Sequence, residues 1–401
     1  MTSTTPKPRI EIGIVVAGQF DQVDQAAMQR ALHMAREYWE QTFPELRFEL
    51  YPLQHPESSA AGVAEPSLLL REAVEERDTH HWDFVLVLTA AELKSYFSTR
   101  CFAALSRALD AAVISLSLID PQALGETADE SSRVERVAYR LSRMLLQAVA
   151  HLTGVGRSDE AHNLMYHPPS AHALDAMQAL TERQIERQRQ SLRETADQRL
   201  EERSQRLWTS PAFAIGASWI NRREILQAVV AARPWQLPRR FSRLTLASVS
   251  TVAILLMTAE AWDLALSQDG MRVAVLTIGS WCLTTAYVIG RQQLLVRRQQ
   301  RRSEQAVVTS ASAIGILLVG MLVTWCGLYF IALLFGGVFF GPDLIAAWAS
   351  SSQASLLANG WLAKFWMAAF SASLGLLIGA LGASFESQHY FRHVVFVDEE
   401  I

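Results

Sequence analysis

The chain has 401 residues, of which half are hydrophobic and only 19% are charged, and its mean hydropathy is +0.12. Soluble proteins carry about 25% charged residues, so this composition excludes a disordered chain and an ordinary soluble enzyme. The 36 basic and 40 acidic residues give a formal net charge of −4, which is too balanced for a general nucleic-acid-binding protein. Three cysteines (Cys101, Cys282 and Cys326) are too few for a disulfide framework or a thiolate zinc site.

Short apolar stretches alternate with amphipathic stretches in the first half of the chain. The patterns predict strands at Ile10–Ala17, Arg47–Leu53, Trp82–Thr89 and Ala112–Leu118, and helices at Asp21–Phe43, Leu68–Glu76 and Ser131–Thr153. The stretch from Phe102 to Ala111 fits either type of element. Because strands alternate with helices, we predict a layered α/β domain over residues 1–180.

The last predicted helix of this domain ends in a sequence that resembles part of a metalloprotease motif. His151 and Gly154 are three residues apart, and Met165 follows in an apolar stretch. They resemble the second histidine, the glycine and the Met-turn of the metzincin pattern H-E-x-x-H-x-x-G-x-x-H. In that pattern the histidines hold zinc, the glutamate acts as general base, and the glycine ends the helix.

Three positions of the same pattern carry residues that cannot perform its chemistry. Gln147 stands at the first zinc ligand, Ala148 at the general base and Arg157 at the third ligand. An amide is a poor zinc ligand, alanine cannot accept a proton, and a permanent cation repels zinc. The resemblance therefore implies a degenerate site without a catalytic residue. Asp159 and His162 are candidates that could rebuild a zinc site with His151, although we expect no metal cofactor.

The order of predicted elements extends the resemblance to residues 8–180. The stretches WDFVLVLTAAEL and AAVISLSLID, which precede the degenerate motif, are similar to strands of the archaemetzincin group. The cysteines that follow the third ligand in that group are missing here, so its second zinc is not expected. The resemblance implies a metzincin-like mixed sheet with a cleft beside its edge strand.

Four long apolar segments in the second half of the chain predict a transmembrane domain of four helices over residues 241–390. They are Leu244–Leu266, Val273–Gly290, Ala306–Phe335 and Trp361–Phe385. A helix needs about 20 apolar residues to cross a bilayer. The alternative is a set of buried helices in a large soluble core, but four such segments are rare in soluble folds.

Arginines cluster on one side of the predicted spans. One cluster precedes the first span and another lies between the second and the third: Arg233, Arg239, Arg240 and Arg243, then Arg291, Arg297, Arg298, Arg301 and Arg302. The positive-inside rule then predicts a multi-pass protein of the plasma (inner) membrane with both termini in the cytoplasm. Residues 391–401 would be a cytoplasmic tail.

Small residues recur every fourth position along the fourth predicted span, at Ser371, Gly375, Gly379 and Ala383. Small residues at this spacing let two helices approach closely. They favour packing within the chain's own helix bundle, and the alternative is a homo-oligomer formed through Gly375 and Gly379.

Two further segments connect the predicted domains. Ala173–Arg206 contains no glycine or proline and is predicted to be helical, with residues 181–210 forming a charged stalk. This segment is either a short coiled coil, or a solvated stalk or a helix packed on the soluble domain. Ser218–Ala232 within residues 211–240 is predicted as an amphipathic helix at the membrane interface.

The predicted function is a membrane-anchored, inactive metalloprotease homologue that binds a peptide or protein at the cytoplasmic face. Membrane lipid and a cytoplasmic protein or peptide are the expected partners, and nucleic acid is not. One alternative makes the soluble domain the sensor of a membrane pore or transporter. Another is a residual zinc peptidase that uses His151 with Asp159 or His162.

Overall fold

The computed structural model describes residues 7–55, 62–126, 129–202, 211–294, 304–348 and 360–401. These residues form two compact units. Unit 1 takes in the described residues of 1–231 and 299–309 together with Phe396–Ile401, and unit 2 takes in those of 232–298 and 310–395. Several predicted features lie outside the described residues: Leu207 in the stalk, and Arg297, Arg298, Arg301 and Arg302 between the second and third spans.

Unit 1 alternates strands and helices along most of its length. Its strands are β1 (Arg9–Ala17), β2 (Arg47–His55), β3 (Val63–Ala64), β4 (Phe84–Thr89), β5 (Glu92–Leu93), β6 (Ala103–Ser106), β7 (Ala111–Ser115) and β8 (Glu399–Glu400). Its helices are α1 (Gln22–Thr42), α2 (Pro66–His80), α3 (Glu130–Leu152), α4 (Ala171–Ala176), α5 (Glu182–Glu202), α6 (Pro211–Ile220) and α7 (Arg222–Ala231). The predicted α/β domain is thereby confirmed.

The main sheet of unit 1 is mixed and has the strand order β2-β1-β4-β7-β6-β8. The first four strands are parallel, β6 runs antiparallel to β7, and β8 runs antiparallel to β6. The stretch that the sequence left undecided thus contains strand β6 and a short 3-10 turn at Arg107–Leu109. Strands β3 and β5 form a separate parallel pair.

The two central strands of the sheet are apolar because both of their faces are covered. Every residue of β4 and β7 is buried. Alternate side chains of a strand point to opposite faces, and one face belongs to a core that also contains Trp39 of α1 and Leu141 of α3. Helix α2 contacts β4 and β7 but contributes no residue to that core. The sheet is therefore covered by helices on both faces, and α3 contributes buried residues from Val137 to Leu152 to the core.

The helix predicted at Ala173–Arg206 is wrong in its first part, because α4 and α5 are separated by residues 177–181. Within this break the backbone of Gln178 donates to the carbonyl of His162, and Leu164 donates to the carbonyl of Ala179. These bonds to another segment replace the bonds of a continuous helix. The predicted interfacial helix is likewise interrupted, at Asn221 between α6 and α7.

Unit 2 is helical. Its helices are α8 (Leu237–Arg240), α9 (Ser242–Leu256), α10 (Ala259–Ser267), α11 (Gly270–Gln292), α12 (Glu304–Phe339, which belongs to unit 1 up to Thr309), α13 (Pro342–Trp348), α14 (Gly360–Ala383) and α15 (Gln388–Phe396, whose last residue belongs to unit 1). Helices α11, α12 and α14 are long and apolar enough to cross a membrane. Helices α9 and α10 occupy the first predicted span and meet at an angle of 88°. The described residues therefore hold three candidate spans, or four if α9 and α10 count as one.

The small residues of α14 lie against α9 of the same chain. A Cβ atom added to Gly375 would come within 2.8 Å of the Val252 side chain, and one added to Gly379 within 1.9 Å of the Ser248 hydroxyl. Close approach of two helix backbones is what this spacing allows in membranes. In this structure the two glycines allow α14 to pack closely against α9 of the same chain.

Candidate functional site

The residues of the degenerate motif gather around the C-terminal end of α3. Gln147 and Ala148 are almost fully buried, and the Gln147 amide donates a 2.8 Å hydrogen bond to the carbonyl oxygen of Tyr166. Met165 is also buried and belongs to the hydrophobic core. Among the residues that match or replace positions of the metzincin pattern, only His151 and Arg157 keep partly accessible side chains, which are 12% and 41% exposed.

Gly154 lets the chain turn immediately after α3. Its φ angle is +82°, and a Cβ atom there would lie 2.1 Å from a guanidinium nitrogen of Arg107. L-residues adopt this backbone region only at a cost. Two features of this structure therefore favour glycine at position 154, namely the positive φ angle and the close approach of the Arg107 side chain.

Replacing Gly154 by alanine is expected to destabilise the folded state by about 1–3 kcal/mol, because the methyl group strains the backbone and displaces Arg107. Denaturant unfolding of the full chain in detergent measures the change. Gly156→Ala is the matched control, since Gly156 has no atom within 4 Å of its added Cβ. Equal losses in both variants would contradict this role of Gly154.

Two carboxylates from the end of the sequence lie against the two nitrogens of the His151 ring. The Asp398 carboxylate is 3.0 Å from Nε2, and the Glu399 carboxylate is 3.2 Å from Nδ1. Burial alone lowers the pKa of His151, but the two carboxylates outweigh it and raise the pKa to about 10. Each ring nitrogen of His151 is therefore already paired with a carboxylate in this structure.

Arginines complete the charge balance around these acids. The Arg157 guanidinium lies 2.5 Å from the other oxygen of Glu399. Its charge and that of His151 outweigh burial and lower the pKa of Glu399. The backbone N–H of Arg107 donates to Asp398 over 3.4 Å. The position where the metzincin pattern has a third zinc ligand is thus occupied here by a cation that pairs with a carboxylate.

The residues at the site do not fit zinc. Among the residues that the structure describes, no group of three or more His, Cys, Asp or Glu side chains is placed to hold a metal ion. The two carboxylates on His151 bind opposite edges of the ring and so do not converge on one point. Asp159 and His162 are exposed, and the His162 ring contacts the carbonyl of Ala176. The oxygen of the buried Gln147 amide has no hydrogen-bond partner, but an amide oxygen is a poor zinc ligand.

Sequence reasoning missed the acids at positions 398–400, which were assigned to a tail. The segment predicted as a tail, residues 391–401, instead contains the C-terminal part of α15 and strand β8. One signal was present, since the apolar residues Val394–Val397 directly precede three acids. An apolar stretch of this kind is unusual in a solvated tail, but it does not identify His151 as the partner of the acids.

Comparisons with known proteins give partial structural likenesses. No protein-family model matches the chain, and no curated protein matches it in sequence. An archaemetzincin from Methanopyrus kandleri is similar, with 17% identity over 47% of this chain and 99% of the other, at a TM-score of 0.35. A zinc-dependent peptidase from Methanocorpusculum labreanum has 13% identity over 44% and 99%, at a TM-score of 0.34.

An archaemetzincin from Archaeoglobus fulgidus, crystallised with malonate, has 13% identity over 44% of this chain and 99% of its own, at a TM-score of 0.33. Two of these three proteins belong to the group that the sequence resembles.

Proposed function

We propose that the chain is a membrane-anchored peptide-binding protein that does not hydrolyse peptides, and that the edge of β6 opposite β7, where β8 pairs, is its binding site. One observation carries the proposal: a strand from the far end of the sequence, β8, pairs with β6 beside His151 and Arg157. Adding a strand to a sheet edge is a common mode of peptide recognition. The edge of this sheet therefore has the form of a peptide site.

The residues around this edge support binding over hydrolysis. Peptide hydrolysis needs a group that activates water, and the methyl group of Ala148 at the predicted general-base position accepts no proton. His151, the remaining histidine of the pattern, is held between two carboxylates. The paired charges hold a strand in place and leave no free base beside it among the residues of the predicted motif.

The pairing of β8 with β6 also supports four membrane crossings. Two strands of one sheet lie on the same side of a membrane, so the chain between β6 and β8 crosses it an even number of times. We assign three crossings to α11, α12 and α14, which are long and apolar enough to span a membrane. We assign the fourth to the bent pair α9 and α10. Because loops rich in arginine lie on the cytoplasmic side of a membrane, the arginine clusters then favour a cytoplasmic location for the sheet.

The four-crossing arrangement is tested with epitope tags in proteoliposomes. Tags before Met1 and after Ile401 are expected either both to be cleaved or both to be protected when protease is added outside the vesicles. A tag at Gln268 between α10 and α11 is expected to give the opposite result. If the two terminal tags differ, the assignment is overturned.

The binding function is tested on the full chain in lipid nanodiscs. We expect the immobilised protein, shortened after Phe396 to free the edge of β6, to retain peptides from a synthetic library. We expect no cleavage with or without added zinc, and no stoichiometric zinc by mass spectrometry in either the wild-type chain or His151→Ala. One zinc per chain that is lost in His151→Ala, together with cleavage, would overturn the non-hydrolytic function. Failure to retain any peptide would overturn the binding function.

The alternative in which the membrane helices form a pore or transport path stays a prediction. Leakage of a dye from liposomes that contain the full chain is the measurement that addresses it.

A further inference from the structure

We infer that the edge of β6 recognises an acidic peptide with three consecutive carboxylates followed by an aliphatic residue, and that residues 397–401 are the ligand of this site within the same chain. The inference rests on the proposed function and deepens it, because it names the chemistry of the ligand. It follows from four sets of contacts, each of which involves a different part of this segment.

The backbone of the segment forms an antiparallel ladder with β6. The N–H of Ile401 donates to the carbonyl of Ala103 over 2.8 Å, and the N–H of Ala103 donates back to Ile401 over 3.2 Å. The N–H of Asp398 donates to the carbonyl of Leu105 over 3.1 Å. Any peptide could form these bonds, so the backbone supplies affinity and the side chains supply selectivity.

The loop after β5 forms a pocket for the carboxylate of Glu400. Three consecutive backbone N–H groups, those of Tyr96, Phe97 and Ser98, donate to it over 2.9, 3.0 and 3.1 Å. The hydroxyl oxygens of Ser95 and Ser98 lie 2.9 and 3.2 Å from the same carboxylate. Successive N–H groups that point at one spot form an anion-binding concavity, so this loop is built around a negative charge.

The two preceding acids are equally well partnered. Asp398 and Glu399 lie on His151, and Glu399 also lies on Arg157. The side chains of both acids are less than 10% exposed. Burying a charge is costly unless it is paired and hydrogen-bonded. A peptide with amides at these positions would leave a buried histidine and an arginine without a counter-charge.

The aliphatic position completes the recognition pattern. Ile401 is 2% exposed and belongs to the hydrophobic core of unit 1, as does its neighbour Phe102. Burying an aliphatic side chain of this size contributes favourable free energy that a polar residue would not supply. The site therefore selects for acid, acid, acid and aliphatic residue in consecutive positions.

A ligand in the same chain competes with peptides from other proteins. Covalent attachment makes binding of such a ligand intramolecular, so a free peptide has to compete with its effective concentration at the site. The paired part of the segment is short, since β8 spans only Glu399–Glu400. An acidic segment of a partner protein can therefore replace it when that segment makes the same contacts.

The experiment measures binding of two fluorescent peptides to the full chain in nanodiscs. The acidic peptide has the sequence Val-Asp-Glu-Glu-Ile, and the control peptide has Val-Asn-Gln-Gln-Ile. The chain is either wild type or carries Asp398→Asn, Glu399→Gln and Glu400→Gln, which weaken the internal ligand. We expect the acidic peptide to bind the neutralised chain about tenfold more tightly than the wild type, and the control peptide to bind neither.

Site variants are compared in the neutralised chain. Arg157→Gln is expected to weaken binding of the acidic peptide about tenfold, because a charge-assisted hydrogen bond is lost. Arg136→Gln is the matched control, since Arg136 pairs with Glu126 and contacts no residue of the segment. Equal effects of the two substitutions would overturn the assignment of Arg157.

A second form of the chain covers the case in which the neutralised variant does not fold. In the chain shortened after Phe396, the acidic peptide is expected to raise the melting temperature, and the control peptide is not. If both peptides bind equally well, the inference fails while the proposed function stands. If neither peptide binds a form that retains library peptides, the inference alone fails. If no peptide of any kind is retained, the proposed function fails with it.

Discussion

The imidazole of His151 is expected to remain charged at pH 8, with a pKa of about 10. Burial lowers the pKa, and the carboxylates of Asp398 and Glu399 raise it by a larger amount. The ordinary pKa of histidine is about 6.5, so the shift is among the largest expected effects in this protein. Nitrogen-15 NMR of histidine-labelled full chain in nanodiscs measures it directly.

The direction of the shift fixes how pH affects docking of the segment. A group whose pKa is raised by folding contributes its full stabilisation below its ordinary pKa and loses it as the pH rises through the raised value. Docking on His151 is therefore expected to weaken between about pH 6.5 and pH 10. The lowered pKa of Glu399 acts in the opposite direction, because its contribution is lost as the pH falls. Arg157, Arg107 and His167 are the other charged or titratable groups near these acids.

The control for this titration removes acids that lie close in sequence but do not contact the ring. Asp159 and Glu160 are both exposed. Asp159→Asn with Glu160→Gln is expected to leave the pKa of His151 unchanged, whereas Asp398→Asn with Glu399→Gln is expected to lower it to its ordinary value or below. A wild-type pKa near the ordinary value would show that the segment does not dock on His151 in solution.

Replacing Gly379 by valine is expected to destabilise unit 2 by about 1–3 kcal/mol through overpacking. The added Cβ atom would lie 1.9 Å from the Ser248 hydroxyl and 3.0 Å from the backbone oxygen of Leu244. The hydroxyl can turn away, but the backbone of α9 cannot move without separating from α14. Unfolding in mixed detergent micelles measures the loss.

The matched control for Gly379 lies on another span. Gly279 in α11 is exposed, and a Cβ atom there meets nothing within 4 Å. Gly279→Val is therefore expected to change stability by less than about 0.5 kcal/mol. A loss of stability at Gly279 as large as that at Gly379 would show that valine acts through the membrane environment and not through contact with α9.

Elements with strong local patterns could be predicted from the sequence. Strand β1 was expected at Ile10–Ala17 and extends from Arg9 to Ala17, and helix α3 was expected at Ser131–Thr153 and extends from Glu130 to Leu152. Such elements bury a face or a whole strand, and burial imposes an apolar period that the sequence displays. The prediction of a helical region with apolar spans succeeded for the same reason.

Breaks in helices could not be predicted, because they depend on residues elsewhere in the chain. The break between α4 and α5 has no glycine or proline, and it follows from hydrogen bonds to His162 and Leu164. The sharp angle between α9 and α10 falls at Met257 and Thr258, where the sequence also lacks a helix-breaking residue. Local propensity is a weak prior that tertiary contacts override.

At the candidate site, the sequence by itself determined which residues stand at the positions of the motif that it resembles. Gln147, Ala148 and Arg157 occupy the positions that the resemblance would assign to a zinc ligand, a base and a further ligand. Only the tertiary structure decided which groups contact His151, because His151 and Asp398 are 247 residues apart. Periodic patterns report burial within one element, whereas the partner of a buried charge is chosen when distant segments meet in the folded sheet.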